Sequence, residues 1–423
     1  MGPMHNLLEA KPTELWKVGV ARVVTEGGEH LPHLTNSPLA SHFRPELELL
    51  LCACRIEIDE ATASRIQTLL GGNLDWSFLA NSAATHHVKA LLFRSLNRVG
   101  ANSIPPEFAN AARVFWEGQR KRNLFLAAEL VRILTALEKR GIAAIPFKGP
   151  VLTHIAYGDL GLRSFADLDF LIQERDILGC LEVLRELDYD NDNGGIPEWT
   201  NAFQKYAGQD LFRRKDRRVA VEPHWTFAQW TMAVAIDYPG IWQRAERINF
   251  AGTQVLNLST EDLVTILCVH GSKELWSRLQ WICDVAEVLR VHPSVDWDAM
   301  FERARSQGCL RMLLLGLTLA NRLSGAMLPV QAEALLAADR TVVHLAGYVE
   351  QSLFSKNYAV PSVYQISRFR LLMRDRLKDK ISYLFRTMTT PRLQHFSMIP
   401  LPRSLFFGYY PVKLFHDYLL LPL

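Results

Sequence analysis

Residues 147–172 read F-K-G-P-V-L-T-H-I-A-Y-G-D-L-G-L-R-S-F-A-D-L-D-F-L-I. A Lys148-Gly149 turn leads into a short helix over 150–157, then a basic residue, Arg163, then a strand over 167–172. Side chains alternate along a strand, so Asp167 and Asp169 face one way while Leu168 and Phe170 face a core. Two carboxylates held this close repel each other unless a cation lies between them. The usual cation is a divalent metal.

Working outward, Ile142 to Phe147 reads as a short buried strand. It follows a helix whose apolar positions, from Phe125 to Leu137, recur at three- and four-residue spacing. Lys139-Arg140-Gly141 ends that helix: basic residues in the last turn, then glycine. Downstream, 175–187 is an amphipathic helix and 190–195 (D-N-D-N-G-G) a loop. Residues 211–225 read as a hairpin with a basic turn and a returning strand over 219–224. On that strand Val219 and Val221 face one way, and Ala220, Glu222 and His224 the other.

Glu222 is the natural third acid. A strand with one carboxylate beside a strand with two can clamp Mg²⁺, or Mn²⁺, for phosphoryl chemistry, because magnesium prefers oxygen ligands. Gly149 lets backbone N–H groups approach a phosphate at the start of a helix, and Lys148 and Arg163 can neutralise its charge. Each element alone has an ordinary explanation. Asp-x-Asp occurs at solvated strand edges, Lys-Gly in plain turns, Glu222 as a surface acid and His224 as an edge histidine. Their order and context make the joint reading a metal-dependent site with Asp167, Asp169 and Glu222 as catalytic and metal-holding groups.

These residues resemble the nucleotidyltransferase superfamily that includes DNA polymerase β, with its glycine turn opening a helix, its hDhDh strand and its later third acid. The chain looks more closely like an uncharacterised bacterial nucleotidyltransferase family with a K-G…Y…R…D-h-D core and a later h-E/D-h-H-W strand. The matching residues are Lys148, Gly149, Tyr157, Arg163, Asp167, Asp169, Glu222, His224 and Trp225, with His270, Gly271, Trp276, Leu279, Trp281 and Asp284 downstream. The chain departs from the superfamily at Pro150, which has no N–H where a Ser or Gly usually supplies one. The resemblance implies transfer of a nucleoside monophosphate from ATP or another NTP to an acceptor hydroxyl or phosphate. The acceptor, whether small molecule, peptide or protein, is not readable. The competing classes are an inactive nucleotide- or partner-binding module and a peripheral membrane adaptor.

The expected fold is α+β: a small mixed-sheet core over 141–257 between helical regions at 44–140 and 258–345. A loosely ordered segment at 1–43 and a basic, aromatic tail at 346–423 complete the chain. His224, His270, Trp276 and Asp284 are candidates for an acceptor pocket. The alternative makes Trp276 and Trp281 core aromatics, with Asp284 pairing Arg278. A net charge of +3 gives no strong case for nucleic acid. Six scattered cysteines suggest reduced thiols, and a cytoplasmic chain is the expectation. The tail interleaves Arg368, Arg370, Arg374, Arg376, Lys378 and Lys380 with apolar residues. That suggests a weak case for a membrane surface, or a tail docked on the helices.

Overall fold

The computed structural model describes residues 44–191, 206, 208–355, 361–399, 401 and 403–417. The segment expected over 1–43 lies outside them, as does most of the 190–195 loop. A proline in the first turn, where its missing N–H is harmless, opens α1 (Pro45–Ala53). Aspartate caps follow: Asp59 accepts from Thr62 N ahead of α2 (Glu60–Leu70), and Asp75 from Phe78 N ahead of α3 (Trp76–Thr85). Then come α4 (Lys89–Gly100) and the 34-residue α5 (Pro106–Lys139). The stop read from Lys139-Arg140-Gly141 is in place, with Gly141 at φ 72.

The sheet is built from β1 (Ala144–Pro146), β2 (Asp167–Ile172), β3 (Tyr189–Asn191), β4 (Phe212–Arg214) and β5 (Ala220–His224). Helix α6 (Gly149–Tyr157) joins β1 to β2, and α7 (Ile177–Glu186) joins β2 to β3. Strand order is β1-β2-β5-β4-β3; β2 and β5 are parallel and every other pair is antiparallel. Strand β1 is three residues shorter than the stretch 142–147 suggests. It also missed β3, which takes up Asp190 and Asn191 from the supposed loop. A second sheet was not anticipated: after α8 (Tyr238–Arg244), β6 (Glu246–Phe250) and β7 (Thr253–Asn257) form a hairpin.

Helices α9 (Thr260–Lys273), α10 (Leu279–Val291), α11 (Trp297–Gln307), α12 (Leu310–Ser324), α13 (Val330–Ala338) and α14 (Arg340–Leu353) follow. The tail adds α15 (Val363–Leu372), α16 (Leu377–Thr389), α17 (Leu393–Met398) and α18 (Tyr409–Phe415). The boundary expected after 345 therefore falls inside α14. The fold is α+β, mostly helical with a small mixed sheet. All six cysteines are free thiols, five of them buried. Among the described residues no helix is long and apolar enough to cross a membrane.

Two cores explain where the sheet sits. Leu168, Phe170 and Val221 turn one face of the sheet toward Leu126, Leu130 and Ile133 of α5 and Leu181 of α7. From the other face, Ile145 and Leu171 join a second core in which Leu49 and Leu50 of α1 meet Ile282 of α10 and Leu313 of α12. The helical regions before and after the sheet thus share one interior. By the alternation of β2 and β5, Asp169, Glu222 and His224 lie on this second face.

Trp276 shows how tightly that interior is packed. It has no exposed surface and a positive φ of 52. Its ring lies over Gly271, where an added Cβ would meet ring carbons at 2.6 Å. Gly271→Ala is expected to lower stability by roughly 1–3 kcal/mol through overpacking. A lower urea midpoint at unchanged m-value would show it; an unchanged midpoint would contradict this packing.

Candidate active site

Lys148 and Gly149 sit where β1 runs into α6. Gly149 has φ +53, and a Cβ there would lie 3.3 Å from the Asp167 carbonyl oxygen. Both the left-handed backbone and this close approach to β2 call for glycine. The parallel pairing sets Asp169 opposite Glu222 and Asp167 opposite Ala220. Partners in register share a face, so the β2 and β5 acids come together, with His224 two residues further along β5.

His224 Nε2 lies 3.0 Å from Asp169 Oδ1 and 3.7 Å from Glu222 Oε2. Lys148 Nζ is 3.8 Å from the same Asp169 oxygen. One donor atom from each of Asp169, Glu222 and His224 falls within 4.8 Å of the others. Asp167 stands beside that cluster, one pleat back along β2. Its charge reaches the cluster: burial, then the neighbouring Asp169 and Glu222, push its carboxyl well above the usual range. For Asp169, burial opposes ionisation, but Lys148 and the His224 hydrogen bond outweigh it and hold the carboxyl well below the usual range. Burial pulls His224 down, yet its hydrogen bonds to Asp169 and Glu222 leave it raised overall. Adjacent acids pushed in opposite directions mark an electrostatically organised site.

Residues 72–325 match a family described as uncharacterised nucleotidyltransferase. The chain belongs to that family. No match was found among curated proteins or among solved structures. Nucleotidyl transfer is the general chemistry this membership supports, and the acidic face of the sheet lies within the matched span.

Within this member of the family, Arg163 is buried and engages Asp284 of α10 through both Nε, at 2.7 Å, and Nη2, at 2.9 Å. Tyr157 Oη donates to Asp284 Oδ1 at 2.7 Å. Asp284 therefore pairs with Arg163, whereas Arg278 stacks over the Trp281 ring at 5.3 Å. The acceptor-pocket candidates divide accordingly. Trp276 and Asp284 are packed in the interior. His224 belongs to the acidic cluster. Half-buried His270 feels it: burial and then Lys148 lower its pKa, against the pull of Asp169.

Several positioning residues carried no motif signal. Gln209 Nε2 donates to Glu222 Oε2 at 2.6 Å. Extending the β4–β5 register back from the turn pairs Gln209 with His224, so the hairpin itself could have flagged it. The segment entering β2 is pinned from two sides. Asn123 Nδ2 of α5 donates to Leu160 O at 2.6 Å and Arg163 O at 2.9 Å, and Gln280 Nε2 of α10 to Ser164 O at 2.9 Å.

Asp284→Ala strands the Arg163 guanidinium in the interior. The expected cost is about 3–5 kcal/mol, whereas the paired replacement Arg163→Met/Asp284→Leu costs far less. Urea unfolding of the three proteins checks this; equal destabilisation by the single and double changes would contradict the buried pair.

Proposed function

We propose that the chain transfers a nucleoside monophosphate from an NTP, ATP being the first to test, to an acceptor hydroxyl or phosphate, the acceptor oxygen bonding the α-phosphorus as the α–β phosphoanhydride breaks and pyrophosphate leaves. Asp167, Asp169 and Glu222 would hold Mg²⁺ or Mn²⁺. What carries the reading is the β2–β5 register that sets Asp169 against Glu222 beside Asp167. The residues fit a divalent cation. Three carboxylates share one region, and Asp167 is pushed upward first by burial and then by the charges of Asp169 and Glu222, a combination that a bound cation would relieve. The donors are oxygens, as magnesium and manganese prefer. His224, donating to Asp169, orients that carboxylate. When bound, the cation supplies Lewis acidity to the phosphoryl group and lowers the pKa of an attacking hydroxyl.

The chain's own residues do the rest. Gly149 opens α6 without a side chain, so the positive end of the helix faces the region where a phosphate would rest. Pro150 withholds one N–H there, and Lys148, already against Asp169, is placed to supply the missing positive charge. The sequence reading gave Arg163 a share of the triphosphate. With Nε and Nη2 both committed to Asp284, we assign it instead to positioning the segment that enters β2. Gln209 steadies Glu222, which we read as the group nearest an incoming acceptor hydroxyl.

Incubation with α-labelled NTPs, Mg²⁺ and a cell lysate tests the proposal. Wild type is expected to transfer label in a metal-dependent way, and Asp167→Asn/Asp169→Asn to fall to background with an unchanged circular dichroism spectrum. Metal-dependent NTP binding without transfer in any lysate would instead make the chain a nucleotide-binding module. No transfer and no binding would overturn both readings.

A further inference from the structure

The tail turns one of its helices inside out. In α16 the residues directed inward are Asp379 and Tyr383, both buried; Asp379 pairs with Arg376, and the Arg374 guanidinium lies 4.0 Å over the Tyr383 ring. Its apolar residues face solvent: Leu377 is 71% exposed, Ile381 59%, Leu384 46%, Phe385 66% and Met388 49%. At about 100° per residue these five fill a stripe roughly 100° wide, with Lys378 on one flank and Lys380 on the other. In a soluble helix the core would take that stripe. Here the core takes the helix's one acid.

The surroundings continue the pattern. Helix α18 packs beside α16, and the turn before it and its own outer face expose Leu405, Phe407, Tyr410, Leu414 and Phe415. The arrangement is fixed in place. Arg386 of α16 stacks on Trp230 at 3.7 Å, and Arg374 Nη2 donates to Met232 O at 2.5 Å. Near the end of the tail, Arg392 N donates to His395 Nδ1, which leaves Nε2 to carry the proton toward Asp417. That tautomer uses the His395, His416 and Asp417 group as a clasp and not as a metal site. Residues 361–417 hold ten Lys and Arg against three Asp and no Glu, in a chain whose net charge is only +3.

We propose that the face formed by α16 and α18 docks onto an anionic lipid surface. A wide apolar stripe, lysines flanking it and aromatic residues beside it are what an interfacial helix needs: burial for the apolar face, and cations at headgroup height. A soluble partner would need no lysine on each flank of the stripe. A second copy docked stripe to stripe would bring its own Lys378 and Lys380 against these lysines.

Sedimentation of the full chain with phosphatidylglycerol/phosphatidylcholine vesicles, and with phosphatidylcholine alone, tests the proposal. Binding is expected to the anionic vesicles only and to weaken with salt. Ile381→Asp/Phe385→Asp, at two exposed positions, is expected to reduce it about 10-fold or more with the unfolding midpoint kept. Lys378→Glu/Lys380→Glu is expected to do the same through charge. Failure to bind anionic vesicles, or equal binding by all the variants, would overturn the proposal. So would a dimer in solution that Ile381→Asp/Phe385→Asp dissociates, since the stripe would then belong to a second copy.

Discussion

The pairing of Arg163 with Asp284, completed by Tyr157, joins the two halves of the molecule. Arg163 lies just upstream of β2, while Asp284 lies on a helix in the other core, 121 residues away in sequence. A buried arginine and a buried carboxylate are each costly alone. Together, with both guanidinium bonds made and the tyrosine hydroxyl on the same oxygen, each offsets the other's burial, and the pair ties the segment entering β2 to α10. The pair fastens the chain just upstream of β2, whose aspartates are then placed by its pairing with β1 and β5. Asn123 and Gln280 reinforce it by holding the backbone carbonyls of the entering segment.

The acidic face follows a different principle, in which repulsion is kept and only partly relieved. Lys148 and His224 both lean on Asp169 and keep it ionised. Asp167, with less help, is pushed toward holding its proton. A fold selected for stability alone would place an apolar residue at one of these positions. Retained repulsion next to a helix N-terminus is a state that a cation and a phosphate, arriving together, would relieve.

Much of this was legible from periodicity. The alternation D-L-D-F-L-I put the acids on one face and the core residues on the other, and the same rule placed Glu222 with His224. The edge strand β3 was not legible, because Asp190 and Asn191 have loop composition and are held by pairing to β4. The β6–β7 hairpin was passed over although R-I-N-F-A-G-T-Q-V-L-N alternates around an Ala-Gly turn. Roles were harder to read than places. Arg163 and Asp284 were both singled out, one for phosphate and one for a pocket, yet only tertiary structure could show that each is the other's partner. The burial of Trp276 was hidden for a similar reason: glycine at 271 makes room for a packed ring, and a sequence does not say which tryptophans find such a room.

The grip of the tail on the chain just after β5 ties two distant regions into one cooperative unit. Arg374 and Arg386 hold backbone carbonyls at Met232 and Trp230, a few residues beyond His224. Opening events in a protein follow units of this kind. Without the tail, the segment leaving β5 would lose these two fastenings. The chain that leaves the strand carrying Glu222 is thus fastened by α16, whose Arg386 lies 156 residues beyond Trp230 in sequence.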